Sequence, residues 1–229
     1  MNKLFHIFFG LSNDSNKINI GIVKNYHKFL SHNDDFSLIK WNKHKCVEII
    51  KEFFPEYMQI YNMTHDYRYK CDLVRLIVLY VHGGLYMDID AECLTNVNQM
   101  GLNDKTNLSV VFNDNETEIF NSFIYVKYKH NPFIEECIHK YAKLLHTVFI
   151  GACPLMKEVF DTLYSKENYK NEGIIIHYEK PEKRKEKCVS NEEFWKSFYI
   201  FTENGEKILK SRYDDYYSDK KKHSDVDFM

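Results

Sequence analysis

The stretch Gly83 to Glu92, GGLYMDIDAE, sets two carboxylates one residue apart directly behind a short apolar run. Leu85 to Ile89 reads as a buried strand, and an unpaired charge at the end of such a strand is costly unless a cation meets it. Asp88 and Asp90 repel each other unless a divalent ion sits between them and a further anionic group. Mn²⁺ or Mg²⁺ suits oxygen ligands, and Mg²⁺ in particular is commonly held by one or two carboxylates together with substrate phosphates. The pair therefore predicts a phosphate-bearing ligand, a diphosphate by preference. At a spacing of two, both side chains share one face of an ideal strand, a relation that a turn at Ile89 would change. Gly83 and Gly84 allow a close backbone approach just before the strand.

Working outward, Asp66 to His82 repeats apolar residues at three and four (Leu73, Leu76/Ile77, Tyr80), which predicts a helix stopped by the glycine pair. Asp72 and Arg75 lie three apart on it and so share a face. They are either aimed at the carboxylate cleft or form a surface ion pair of small value. Leu4 to Phe9, Phe36 to Trp41, Asn107 to Phe112, Ser122 to Val126 and Glu172 to Tyr178 read as further strands. Asn16 to Leu30, Cys46 to Phe54, Pro132 to Leu145 and Met156 to Tyr164 read as helices. Alternation through the first half predicts an α/β class with a central mixed, mostly parallel sheet flanked by helices. The charge run Glu179 to Lys187 reads as a solvated loop rather than an anion site or lid.

Apolar and aromatic residues make up 44% of the 229, enough for one sizeable core, and no repeat or linker divides the chain. Residues 1–217 are expected as one catalytic domain, with 218–229 as a disordered tail. With 33 acidic against 31 basic side chains, the net charge of −2 gives no global footprint for nucleic acid or an anionic membrane. Leu73 to Val81 falls far short of the roughly 20 residues a bilayer span needs. The N-terminal apolar run lacks a secretory pattern, so a cytoplasmic protein is expected. Six cysteines without a C-x-x-C pair read as reduced thiols packed as small hydrophobes. The many Lys, Asn, Ile and Tyr suggest an AT-rich coding genome, suiting a bacterium, a virus or a parasite.

Taken together, CDLVRLIVLYVHGGLYMDIDAECL (Cys71 to Leu94) resembles the signature of the DXD sugar-transferases of glycosyltransferase family 32, and is similar to the matching segment of large clostridial glucosylating toxins. Weaker similarity reaches FHIFFG near the N-terminus and FIGACPLM (Phe149 to Met156). The resemblance implies a GT-A fold, an α/β nucleotide-sugar-binding sandwich that needs Mn²⁺ or Mg²⁺. It implies that Asp88 and Asp90 anchor the metal on the diphosphate of a UDP- or GDP-sugar, Asp90 as the more direct ligand. Asp72 and Arg75 are then expected to hold the donor sugar, with Tyr86, Gly84 and Phe8 near the nucleotide. Phe8 stands where the family usually has Trp; it can stack on a base or serve the core. Related enzymes complete the metal site from a C-terminal loop, for which Asp214, Asp215, His223 and His177 are candidates. His177 reads equally as a strand-end histidine, and Asp214/Asp215 as a solvated turn.

The implied reaction moves a sugar from the donor to a glycan, lipid or protein acceptor with retention of configuration, and no nucleophile is evident. The alternatives are a haloacid dehalogenase-type phosphatase or phosphotransferase, a non-catalytic nucleotide-sugar-binding module and a structural protein. The first usually carries its Asp-x-Asp strand at the start of the domain. The second fits poorly with intact Asp72, Arg75, Asp88 and Asp90, and the third leaves the buried-strand carboxylates unexplained.

Overall fold

The computed structural model describes residues 3–8, 20–145, 151–165, 168–183 and 185–212. Its strands are β1 (Leu4–Phe8), β2 (Ser37–Trp41), β3 (Gly84–Met87), β4 (Glu92–Cys93), β5 (Leu108–Asn113), β6 (Ile119–Val126), β7 (Ile174–Pro181), β8 (Phe198–Phe201) and β9 (Lys207–Lys210). Its helices are α1 (Ile20–His32), α2 (Lys43–Phe53), α3 (Met58–Met63), α4 (Tyr67–His82), α5 (Pro132–Leu145), α6 (Ala152–Leu163) and α7 (Asn191–Lys196). No helix of the described residues is long and apolar enough to cross a membrane.

The strands form one sheet in the order β2-β1-β3-β6-β5-β7-β8-β9-β4. It is mixed, as expected, but not mostly parallel. Only β1–β2, β1–β3 and β5–β7 run parallel among the eight described pairings. The short link 114–118 between β5 and β6 permits a hairpin alone, since parallel neighbours need a long crossover. Although β3 and β4 stand far apart in the strand order, only residues 88–91 join them. The sheet therefore curls until its far edge meets the end of β3, and the two carboxylates of interest occupy that closure.

One apolar core lies between the sheet and α2, α4, α5 and α6; it includes Leu73, Leu76, Ile77, Val110, Ile124, Phe133 and Met156. The other, around Phe5, Phe29, Leu85, Met87, Phe123 and Leu209, lies on the opposite face with α1 and the curled-back strands. Helix α4 buries its apolar residues between Cys71 and Val81, which suits a central element packed against the sheet. The Asp66 side chain caps its start by accepting from the Arg68 N–H, and Gly83, at φ 64°, ends it. Gly84 has no room for a side chain: a Cβ there would sit 2.6 Å from the Leu4 carbonyl oxygen.

Helix α6 starts four residues ahead of the expected Met156. Pro154 falls in its first turn, where a missing N–H costs nothing. The run from Glu179 is not a loop throughout, because Glu179 to Pro181 continue β7 and pair with β8. Short or half-exposed elements (α3, β4, α7, β8 and β9) carry too little periodicity to be read from sequence. Gly10, Phe149, Asp214, Asp215, His223 and the tail 218–229 lie outside the described residues.

Two core histidines make stability depend on acid. His6 Nε2–H donates to the Gly83 carbonyl at 2.8 Å while Nδ1 accepts from Trp41 Nε1 at 3.1 Å, so only a neutral ring fits. Burial, with the neighbouring His82 adding, lowers its pKa to about 4 against the favourable pull of the Gly83 carbonyl. Burial alone does the same to His177, whose two ring nitrogens have no partner among the described residues. Both folded values lie below the unfolded 6.5. The unfolded chain thus takes up protons first, and stability present above pH 6.5 is lost as pH falls towards 4, by on the order of 3 kcal/mol per histidine at most. His177→Leu is expected to raise the melting temperature, and its advantage over the unsubstituted protein should widen from pH 7.5 to pH 5. A gap that stays constant with pH would show that His177 is not buried in the neutral form.

Candidate functional site

The site is built where α4, β3 and β6 meet. Strand β3 ends at Met87, two residues short of the expected Ile89, and gives way to a turn. The Asp88 N–H donates to the Ser122 carbonyl at 2.8 Å, and the Ala91 N–H returns to the Asp88 carbonyl at 3.1 Å. Asp88 and Asp90 are thus the first and third residues of a tight turn.

Arg75 organises the cluster, with its side chain only 8% exposed. Its Nη2 reaches Asp72 Oδ1 at 3.0 Å, and Nη1 donates to Asp88 Oδ1 at 3.1 Å and to the Asn121 carbonyl at 2.7 Å. The guanidinium lies 4.6 Å from the centroid of the Tyr86 ring, whose hydroxyl donates to the same Asp88 oxygen. The surface-pair alternative for Asp72 and Arg75 therefore falls: this pair is buried, with further partners. Asp72 also accepts from Asn121 Nδ2 at 2.8 Å and from the Tyr141 hydroxyl at 3.3 Å. Burial nonetheless pushes its carboxyl above the ordinary range, against the pull of Arg75.

Asp90 stands across the turn. Burial first, then the charge of Asp88, raises its carboxyl to about 7, with Arg212 opposing. Arg212 Nε lies 3.8 Å from Asp90 Oδ2. On the same edge, Glu179 accepts from the Ser211 hydroxyl at 2.7 Å, and burial lifts its carboxyl to about 7.

The structure brings together Asp72, Arg75, Tyr86 and Asp88, with Asp90 in the same turn. Phe8 is buried, packed against Tyr86 and Trp41 at centroid distances of 5.5 and 6.5 Å. Gly84 begins β3 four residues before Asp88, roughly 13 Å back along the strand, and is not brought to the cluster. His177 faces the Phe123 ring inside the second core. The third-ligand candidates Asp215 and His223 lie outside the described residues. Asn121, Tyr141, Arg212 and Glu179 escaped the sequence reading. Only Asn121 left a trace there, as part of a polar Asn-Ser pair inside an otherwise apolar strand.

The donor set suits a hard divalent cation. It is all oxygen, and Arg75 and Tyr86 both use Asp88 Oδ1, leaving Oδ2 without either of them. Among the described residues no group of three His, Cys, Asp or Glu could hold a metal alone.

Residues 21–107 match the family described as a glycosyltransferase sugar-binding region containing a DXD motif. Residues 21–107 are thus similar to the DXD region of the glycosyltransferases, and the mixed α/β fold is of the GT-A type. Among particular relatives, 77 residues are 32% identical to an uncharacterized glycosyltransferase of Acanthamoeba polyphaga mimivirus, covering 33% of this chain and 31% of that protein. Another 26% identity runs over 130 residues of inositol phosphoceramide mannosyltransferase 1 from Schizosaccharomyces pombe, covering 52% and 39% respectively. The chain spans about a third of the length of these relatives. The solved PaToxG glycosyltransferase superposes with a TM-score of 0.52 over 74% of this chain and 68% of that one; at 19% identity the likeness is one of fold.

Proposed function

We propose that the chain is a metal-dependent glycosyltransferase that moves a sugar from a nucleoside-diphosphate donor to a glycan, lipid or protein acceptor with retention. One observation carries the reading. The matched DXD region contains a buried Asp72–Arg75 pair tied to Asp88, beside a second, mostly buried carboxylate, Asp90, in the same tight turn. Such a network fixes Asp88 rigidly while its Oδ2 stays clear of Arg75 and Tyr86. Retention rests on the family resemblance alone, and the phosphatase alternative gains no support from the family match.

Asp88 and Asp90 would hold the Mn²⁺ or Mg²⁺. When bound, such an ion supplies Lewis-acid stabilisation of the departing diphosphate. Arg75, locked by Asp72, Asp88 and Asn121, adds fixed positive charge and orients the Asp88 carboxylate. Asp72, held by Asn121 and Tyr141, is the group to which the family resemblance gives the sugar hydroxyls. The six cysteines are free, four of them buried, which supports a reducing compartment such as the cytoplasm.

The test is a thermal-shift panel of UDP- and GDP-sugars with and without Mn²⁺. A ligand that binds only the folded chain raises its melting temperature, and the expected rise requires ion and nucleotide together. Absence of any shift at concentrations well above ~1 mM, where weak donors should still register, would overturn the donor-site reading.

A further inference from the structure

We propose that a groove along the first residues of β7 is a subsite for an acetamido sugar, with the buried His177 ring and the free edge of the strand as its polar contacts. The choice of a sugar among amide-bearing ligands rests on the glycosyltransferase reading above. The groove itself stands apart from the carboxylate turn and shares no residue with it.

The groove, of about 400 Å³, lies between the loop 99–106, the approach to β7 and the turn 202–206 that joins β8 to β9. It opens where two strands part. Pairing with β5 holds β7 from Ile174 to Glu179, whereas β8 joins it only from Tyr178 to Pro181. The start of β7 therefore keeps one edge to which no described strand pairs. The Gly173 carbonyl accepts from the Asn107 N–H on the β5 side, and the Ile174 N–H turns the other way, to the Tyr169 carbonyl at 3.1 Å. Because these groups alternate along a strand, Ile176 directs its N–H and its carbonyl to the free edge, a ready template for a ligand amide.

His177 lines the groove, fully buried, and neither of its ring nitrogens has a partner among the described residues. The ring is neutral, since burial holds its pKa at about 4. One nitrogen thus donates and the other accepts, and a buried polar group left in that state costs stability that a hydroxyl-bearing ligand would restore. The Thr106 and Thr202 hydroxyls, also in the lining, are already engaged, with the Gly101 carbonyl and the Glu206 N–H. Charge stays at the rim, where exposed Lys170 pairs with exposed Glu203 at 2.7 Å. Met100, Ile174 and Ile175 supply an apolar wall.

A neutral interior disfavours a phosphate or carboxylate ligand. An acetamido sugar matches each feature: its amide carbonyl accepts from the Ile176 N–H, the neighbouring hydroxyl donates to the Ile176 carbonyl, the methyl packs on the apolar wall, and further hydroxyls meet His177. Glucose lacks the amide and the methyl. Two residues beyond His177, roughly 7 Å along the strand, Glu179 accepts from Ser211 at the edge of the candidate donor site. A sugar held in the groove is therefore a more distant unit of an acceptor glycan than the one that reacts.

Binding of N-acetylglucosamine, glucose and N-acetylalanine methylamide to the full chain is followed by NMR, through backbone amide and histidine ring nitrogen shifts, the His177 signals being identified by their loss in His177→Gln. N-acetylglucosamine should bind in the millimolar range and move the His177 ring nitrogens, with glucose roughly 10-fold weaker. His177→Leu, expected above to be the more stable ligand-free protein, should lose roughly 10-fold in affinity for N-acetylglucosamine. His177→Gln, which keeps a donor and an acceptor, should recover part of it. Equal affinity for the two sugars, unchanged affinity in His177→Leu, or no binding at roughly 100 mM overturns the subsite. The methylamide binding as tightly as the sugar, or more tightly, makes the groove a peptide site and overturns the sugar assignment. The nucleotide panel with Mn²⁺ is read separately: N-acetylglucosamine bound through His177 without any nucleotide response keeps the subsite and removes the transferase reading, and the converse removes the subsite alone.

Discussion

Asp90→Asn is expected to abolish Mn²⁺-dependent binding of the nucleotide-sugar while leaving the metal-free protein at least as stable as before. The two effects have opposite signs for one reason. Asp90 sits two residues from another carboxylate, and burial together with that neighbour lifts its pKa to about 7. Because the folded value lies above the unfolded one, the group costs stability as pH rises from about 4 through about 7. An amide removes that cost. The same crowding is what a divalent cation relieves, so removing the charge removes the ligand that most needs the ion. Transfer activity should fall by three orders of magnitude or more, an effect on the scale of losing a principal electrostatic stabiliser. Melting curves at pH 8 with and without Mn²⁺ and donor read both halves. A substituted protein that still responds to ion and donor would remove the metal assignment. A large drop in metal-free melting temperature would instead make Asp90 a structural residue.

Arg75→Ala is expected to damage the fold before it damages the chemistry. The guanidinium is the buried counter-charge for Asp72 and Asp88, and it caps the Tyr86 ring. Removing one partner of such a network strands the others, at a cost of about 3–5 kcal/mol. In a chain of this size that is on the order of 10 °C in melting temperature. Pairing it with Asp72→Asn should restore part of the loss, since a neutral amide needs no counter-charge. A shift of roughly 1 °C or less for Arg75→Ala alone would show that the pair is not buried in solution. Activity comparisons with this variant are meaningful only well below its melting temperature.

What could be read from sequence followed from how close the residues lie along the chain. Asp72 and Arg75 are one helical turn apart, Tyr86 and Asp88 two residues apart, and Asp88 and Asp90 share a turn, so local geometry alone brings these pairs together. The helices α4 and α5 were legible for a similar reason: each buries a regular apolar face, and each has recognisable end signals. Asn121, Tyr141, Glu179 and Arg212 reach the site from distant elements, and no spacing encodes that approach. The parallel bias expected of the sheet came from strand–helix alternation in the first half. The hairpin of β5 and β6, and the antiparallel run β7-β8-β9 that follows, answer to short connections instead.

The closure of the sheet at residues 88–91 also bears on the order in which the protein assembles. Strands β4 and β9 pair across more than a hundred intervening residues, a contact whose loop-closure entropy makes it among the last to form. The helix carrying Asp72 and Arg75 and the strand leading to Asp88 can associate early. Asp90 and Arg212 come together only when the end of the described chain docks. A nascent or C-terminally shortened molecule would therefore possess the carboxylate turn without its far wall, and on the proposed donor-site reading nucleotide affinity would be acquired late, reporting completion of the whole sheet.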